Sequence, residues 1–170
     1  GAVYVGSGTG VKGRGGAVYV TVGSGNSGNG GELVLSAGIS THAKGTGGHV
    51  FMKTGRGTAT TSGSLFLMTA EAGATGVSGK VVLSTGNAGD GDTGDIYIGT
   101  GDATNGRGGA IYITVGTGDT GDGADILLRA GATNDGPGGV VTIETGAGVA
   151  KSSGALVLQT ADSGSNGVSG

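Results

Sequence analysis

Short apolar segments recur along the chain, and glycine-rich stretches separate them. Within each segment, β-branched or other apolar residues fall on alternate positions, which is typical of half-buried β-strands. The segments start 15 to 17 residues apart and divide the chain into eleven units. The units begin at Gly1, Gly16, Gly31, Gly48, Gly63, Gly79, Gly94, Gly109, Ala124, Gly139 and Gly154. Positions are numbered below from the first residue of each unit.

A longer repeat lies on top of the short one. The sequence GAVYVTVGSGNSGNG, which starts at Gly16, returns as GAIYITVGTGDTGDG at Gly109, six units later. Self-similarity at two fixed periods indicates a repeat architecture that arose by duplication of a six-unit block. We therefore predict that residues 1–170 form a single repeat array, and that this array is a fragment of a longer one.

Positions three, five and seven are mostly Val, Ile, Leu, Ala or Thr. Side chains alternate between the faces of a strand, so these positions share one face, which we expect to be buried. One such face is too small to be stable alone, but stacked units would make it a continuous core. The sequence thus predicts an all-β fold: a β-solenoid, like a β-helix, of eleven short strands joined by glycine loops.

Position four, on the opposite face, carries all six aromatic residues of the chain: Tyr4, Tyr19, Phe51, Phe66, Tyr97 and Tyr112. An outward apolar row indicates either an interface or a ladder of stacked side chains within a sheet. Two aromatic units are followed by one aliphatic unit, three times in succession. This order favours three strands per coil, although one or two per coil and an antiparallel meander stay open.

Composition excludes several classes of protein. The chain has 45 Gly and one Pro, but glycine does not occupy every third residue as in collagen, and the regular apolar residues argue against disorder. Nine Lys and Arg are scattered singly and the net charge is −3, which argues against nucleic-acid binding. Apolar runs are too short for membrane insertion, and the absence of Cys excludes disulfides.

No catalytic or cofactor-binding residues are predicted, and we expect that the protein is not an enzyme. Gly8–Gly13 has the glycine spacing of a dinucleotide-binding loop, but another strand follows where that loop requires a helix. The two histidines, His42 and His49, do not recur in the second six-unit block. Paired carboxylates from distant loops, as in the polysaccharide-degrading enzymes that use β-helices, stay an alternative.

Two other binding functions are weaker alternatives. Asp90, Asp92 and Asp95 lie in a Gly/Asp turn that could supply oxygen ligands to Ca²⁺, as in a calcium-binding β-roll. An ice-binding or adhesive module would need an outward array of Thr. The recurring Thr residues instead occupy position seven, on the face that we expect to be buried.

The segment TGDIYIGTGDATNGRGGAIYITVGTGDTGDGADILLRAG, followed by SSGALVLQTADSGSNGVSG, resembles the Gly/Ser/Thr-rich tandem repeats of very large proteins in stramenopile protists. The resemblance covers the whole chain and implies an extracellular structural protein. Because these organisms carry tubular flagellar hairs, or mastigonemes, it points to the shaft of such a hair. Any glycans would be O-linked, since the chain has no Asn-x-Ser/Thr sequon.

These observations predict a structural polymer. We expect self-association into a filament or tube through end-on stacking of open strand edges and side-on burial of the position-four row. No cofactor, nucleic acid or membrane is expected as a partner.

Overall fold

The computed structural model describes all 170 residues and contains no helix and no strand. Its recurring local feature is a bend or turn, which occurs once in each unit between positions 11 and 14. The bends and turns lie at residues 11–13, 26–28, 42–44, 58–60, 74–75, 89–91, 104–106, 119–121, 134–136, 149–151 and 165–167. The glycine-rich part of each unit therefore forms a corner, and positions two to six form the segment between two corners.

The prediction of an all-β solenoid, with three strands per coil or any other number, is wrong for this chain. A strand exists only where its backbone groups pair with a neighbouring strand, and no segment of the chain has such a neighbour. The β-branched residues favour strand formation, but this preference depends on cross-strand packing and does not supply a partner.

The predicted buried face is also wrong, because the chain has no buried side chain of any kind. The solvent-accessible surface is 17306 Å². A globular protein of this mass would expose about 7,300 Å², and two separate domains of half the mass would together expose about 8,800 Å². With three or four apolar residues in each unit and long polar corners, the chain by itself does not enclose a core.

The base of the corner is the best-defined part of each unit. In five units the N–H of the glycine that opens the next unit donates a hydrogen bond to the carbonyl of position eight. The N···O distances are 3.0 Å for Gly16–Gly8, 2.8 Å for Gly48–Gly38, 3.0 Å for Gly63–Gly55, 2.9 Å for Gly139–Gly131 and 2.9 Å for Gly154–Gly146. These bonds bring the two ends of the corner together.

The side chain at position seven lies against the same corner base. The hydroxyl of Ser7 donates to the carbonyl of Gly16 at 2.6 Å, and that of Thr100 donates to the carbonyl of Gly109 at 3.3 Å. Four of the five residues that are half-buried occupy position seven: Ala37, Thr54, Ala130 and Thr145. The corner thus shelters position seven more than any other part of the segment.

The longer units absorb their extra residues in a hydrogen-bonded turn. Three units exceed 15 residues, namely those that begin at Gly31, Gly63 and Gly154. Their corners contain the bonds Gly45 N–H to His42 O, Gly76 N–H to Gly73 O and Gly167 N–H to Gly164 O, at 2.9 to 3.1 Å. No 15-residue unit has such a bond. An insertion therefore adds a β-turn within the corner.

Two corners require glycine for a conformational reason. Gly28 and Gly121 have φ values of 78° and 80°, and they are the only residues of the chain with a positive φ of this kind. They occupy the same position in the two copies of the six-unit block. A side chain in this left-handed region would be strained.

The chain divides into two parts, Gly1–Leu83 and Ser84–Gly170. Both parts contain closed corners of the kind described above: three position-eight bonds lie in the first part and two in the second.

Candidate self-association surface

The six aromatic side chains at position four are among the most exposed apolar residues of the chain. Their exposed fractions lie between 74 and 92%. Three of the four tyrosine hydroxyls have no hydrogen-bond partner, and that of Tyr97 donates to Asp95 Oδ2 at 3.1 Å. The predicted interface residues are therefore all accessible to a partner.

The aromatic residues do not stack on one another. The one aromatic pair of the chain is His49 and Phe51, two residues apart in the same segment, with ring centroids 5.7 Å apart and an interplanar angle of 52°. An intramolecular aromatic ladder, the alternative explanation of the row, does not form. Apart from Phe51, which lies beside His49 of its own segment, no member of the row has an aromatic partner within the chain.

The second face of the segment is accessible as well, which the sequence did not suggest. Outside the first unit, the apolar residues at position three are 47 to 67% exposed and those at position five 58 to 80%, against 68 to 89% for those at position four. The two faces differ in the expected direction, but neither is covered. Residues such as Ile96, Ile98, Ile111 and Ile113 thus belong to the candidate surface together with the aromatic row.

The backbone of the segments also lacks partners. The chain has eight backbone–backbone hydrogen bonds, and all of them join corner residues or corner ends. No N–H or carbonyl group at positions two to six of any unit takes part in one. A folded protein of this length has about one hydrogen bond per residue. Each segment therefore combines apolar side chains with backbone groups that are free to pair.

Charge is excluded from the middle of every segment. Positions three, four and five carry no Asp, Glu, Lys or Arg in any unit. Charged residues instead flank the apolar core of the segment at position two or six: Glu32, Lys53, Lys80, Asp95, Asp125, Arg129 and Glu144. Short uncharged segments that are rich in β-branched residues and lack Pro and Gly associate readily as paired strands. Charged residues that flank such segments limit this association.

The structure brings no metal-ligating cluster together. No group of three or more His, Asp or Glu side chains is placed to hold a metal ion, and the calcium site at Asp90, Asp92 and Asp95 stays a prediction. Asp95 accepts the hydrogen bond from Tyr97. His42 lies in a corner, where its Nδ1 accepts from the backbone N–H of Lys44 at 3.2 Å, and it has a local structural role.

No pocket is found in the structure, and there is no helix long and apolar enough to cross a membrane. Neither finding decides whether the protein is an enzyme. The candidate surface for self-association is formed by the eleven segments. We call positions two to six of all units the segment surface.

Comparisons with protein-family models, with curated proteins and with solved structures found no match to this chain. The resemblance to the tandem repeats of stramenopile proteins therefore stays a prediction. The segment surface has to be interpreted from its own chemistry.

Proposed function

We propose that this protein is a structural subunit of an extracellular filament or tube, and that it obtains its packed core by associating with copies of itself. The observation that carries the proposal is a regular set of apolar side chains, none of which is buried. All eleven units contribute, and no side chain of the chain is buried. Because the apolar positions recur with the repeat, every unit offers a similar apolar segment to a partner.

The exposed area is large enough for such an assembly. The chain exposes roughly 8,500 to 10,000 Å² more than globular proteins of the same mass would. A stable interface needs about 800 Å² from each partner. Several interfaces per chain can therefore form, and a subunit with two interfaces extends into a polymer when the contacts do not close into a ring.

The extracellular location and the place in a mastigoneme shaft are proposed from the resemblance to stramenopile repeat proteins. O-linked glycans on Ser or Thr belong to the same proposal. The corners offer accessible hydroxyls, for example Ser27, Thr58 and Ser152. Glycans at the corners would leave the segment surface free for association.

The aromatic row provides the test of self-association. The purified chain should form filaments that are visible by electron microscopy and that sediment above a threshold concentration. Replacing Tyr97 and Tyr112 by Ser removes two exposed aromatic rings. Since burial of an aromatic side chain contributes about 1.5 to 3 kcal/mol, we expect the threshold concentration to rise at least tenfold, as measured by sedimentation of serial dilutions.

The matched control is a double variant with Val11 and Val77 replaced by Ser. Both valines are as exposed as the tyrosines, with 97 and 96% of their surface accessible, but they lie in corners. This variant should assemble like the original chain. If the tyrosine variant also assembles at the original threshold, the aromatic row is not an interface. If the original chain stays monomeric and instead depresses the freezing point or adsorbs to surfaces, the ice-binding or adhesive alternative replaces the filament.

A further inference from the structure

We propose that the partner of the segment surface is a second copy of this chain, aligned parallel to the first and displaced by three units. In this arrangement each segment pairs with the segment three units further along the neighbouring copy. The inference rests on the proposed function and deepens it, because it specifies how neighbouring copies are aligned. It follows from three properties of the segments: their unpaired backbone groups, the order of residues at position four and the charges at position two.

The first step concerns the backbone. The N–H and carbonyl groups of positions two to six have no partner within the chain, and apolar association would remove them from water. Unpaired backbone groups are costly when they are buried. An extended segment of another chain satisfies them and at the same time covers alternating apolar side chains. The second copy supplies segments of the same kind, and eight of its eleven overlap with those of the first copy at a displacement of three units.

The second step concerns position four, where pairs of aromatic residues that face each other stabilise neighbouring strands. With a displacement of three units, Tyr4 and Tyr19 face Phe51 and Phe66, and Val34 faces Val82. The next three units repeat this match: Phe51 with Tyr97, Phe66 with Tyr112 and Val82 with Leu127. Six of the eight overlapping pairs are therefore aromatic with aromatic or aliphatic with aliphatic. A displacement of one unit gives mixed pairs at seven of ten positions. Copies without displacement would match at every position four, and the charges described next argue against that alignment.

The third step concerns the charges on the same face. With a displacement of three units, Glu32 of one copy faces Lys80 of its neighbour, and Lys80 of the first copy faces Asp125. No like charges meet at position two or six. Without displacement, every charged residue would face the same residue of the other copy. Like charges that lie directly opposite each other destabilise a pair of strands. With a displacement of six units, Glu32 would face Asp125.

The displacement has a consequence for assembly. Three units at each end of a pair stay uncovered and present the same surface to the next copy. Such a contact is heterologous and does not close, so that it generates an open fibre. The aromatic–aromatic–aliphatic order along position four had indicated three strands per coil. In the proposed arrangement the same order instead sets how neighbouring copies are aligned.

The absence of Cys permits a direct test with single cysteines. A chain with Val34→Cys is mixed in equal amounts with one carrying Val82→Cys, assembled, and oxidised with copper–phenanthroline. Neighbouring strands lie about 4.8 Å apart, within the reach of a disulfide. We expect the mixed disulfide to exceed each homodimer about tenfold, because two thiols at matching positions can be bridged and more distant ones cannot. The control mixture combines Val34→Cys with Val157→Cys, which are eight units apart, and should give little mixed disulfide.

A second measurement uses the unmodified protein. Carbodiimide joins amines to carboxylates that touch, and in filaments of mixed ¹⁴N and ¹⁵N chains it should join Lys80 to Glu32 and to Asp125 of the other isotope. Filaments in which Val34→Cys pairs mainly with itself, or in which neither of these Lys80 cross-links forms, would overturn the three-unit displacement and leave the proposed function standing. If the unmodified chain forms no filaments, the proposed function fails together with the inference.

Discussion

Glycine occupies the first position in ten of the eleven units, and close contacts at the corner base account for it in six of them. A Cβ atom on Gly31 would lie 2.6 Å from Val22 Cγ1, and one on Gly109 would lie 3.2 Å from Thr100 Cγ2. The first residue of a unit thus passes directly beside the position-seven side chain of the preceding unit. At Ala124 the chain accommodates one methyl group at this position.

The backbone bonds at the corner base predict a difference among these glycines. Gly16, Gly48, Gly63, Gly139 and Gly154 donate to position eight, whereas Gly31, Gly79, Gly94 and Gly109 have no such bond. Because one hydrogen bond contributes about 0.5 to 1.5 kcal/mol, we expect amide exchange about threefold to tenfold slower in the first group. Exchange is measured by NMR on dilute, unassembled protein, and the second group serves as the internal control. Equal rates in both groups would show that the corners are open in solution.

At the scale of the segment and its corner, the sequence predicts the corner better than the segment. Glycine-rich stretches locate every bend, because a corner depends on local backbone freedom that the residues themselves provide. A strand depends on a partner, and alternation of Val, Ile and Tyr carries no information on whether that partner lies in the same chain. This is the physical reason why the predicted solenoid was wrong although the corner spacing is regular.

The candidate surface could be predicted in part. The aromatic row was identifiable because all six aromatic residues occupy one position, and the structure leaves them exposed. The exposure of positions three and five could not be foreseen, since an alternating apolar face ordinarily indicates burial. The unpaired backbone of positions two to six is likewise a property of the fold that no residue type reveals.

The segments should therefore change their backbone state when the protein assembles. The chain alone contains no sheet, so its infrared spectrum at low concentration should lack the amide I band of intermolecular β-sheets. This band should appear above the assembly threshold, because the backbone groups of the segments then pair between copies. The same sample diluted below the threshold is the control. Filaments without the band would mean that side chains alone hold the copies together.

At the scale of the whole molecule, surface area separates this chain from an ordinary domain. Its apolar residues are numerous enough to form a core, at 35% of the sequence, but the repeat distributes them evenly over 170 residues instead of concentrating them. In the proposed filament this apolar surface is buried between molecules. The net charge of only −3 opposes such association weakly, and in the proposed arrangement the isolated charges at positions two and six determine the alignment of the copies.

Reversal of one of these charges tests the alignment. Each interface of the proposed arrangement contains two ion pairs that involve Lys80. Glu32 of one copy faces Lys80 of the next, and Lys80 of the first copy faces Asp125 of the next. Lys80→Glu turns both into repulsions, and since each directly opposed pair contributes up to about 1 kcal/mol, the threshold concentration for assembly should rise about tenfold or more. Lys151→Glu makes the same change of net charge in a corner and should leave the threshold near its original value.

Rescue identifies the residues that Lys80 faces. Adding Glu32→Lys and Asp125→Lys to Lys80→Glu restores opposite charges only when the copies are displaced by three units, so the triple variant should assemble near the original threshold. A displacement of one unit would place Lys80 opposite Asp95, and Asp95→Lys would then be the change that rescues. If Lys80→Glu assembles as readily as Lys151→Glu, position two does not lie at the interface, and the aromatic row must set the alignment of the copies without help from charge.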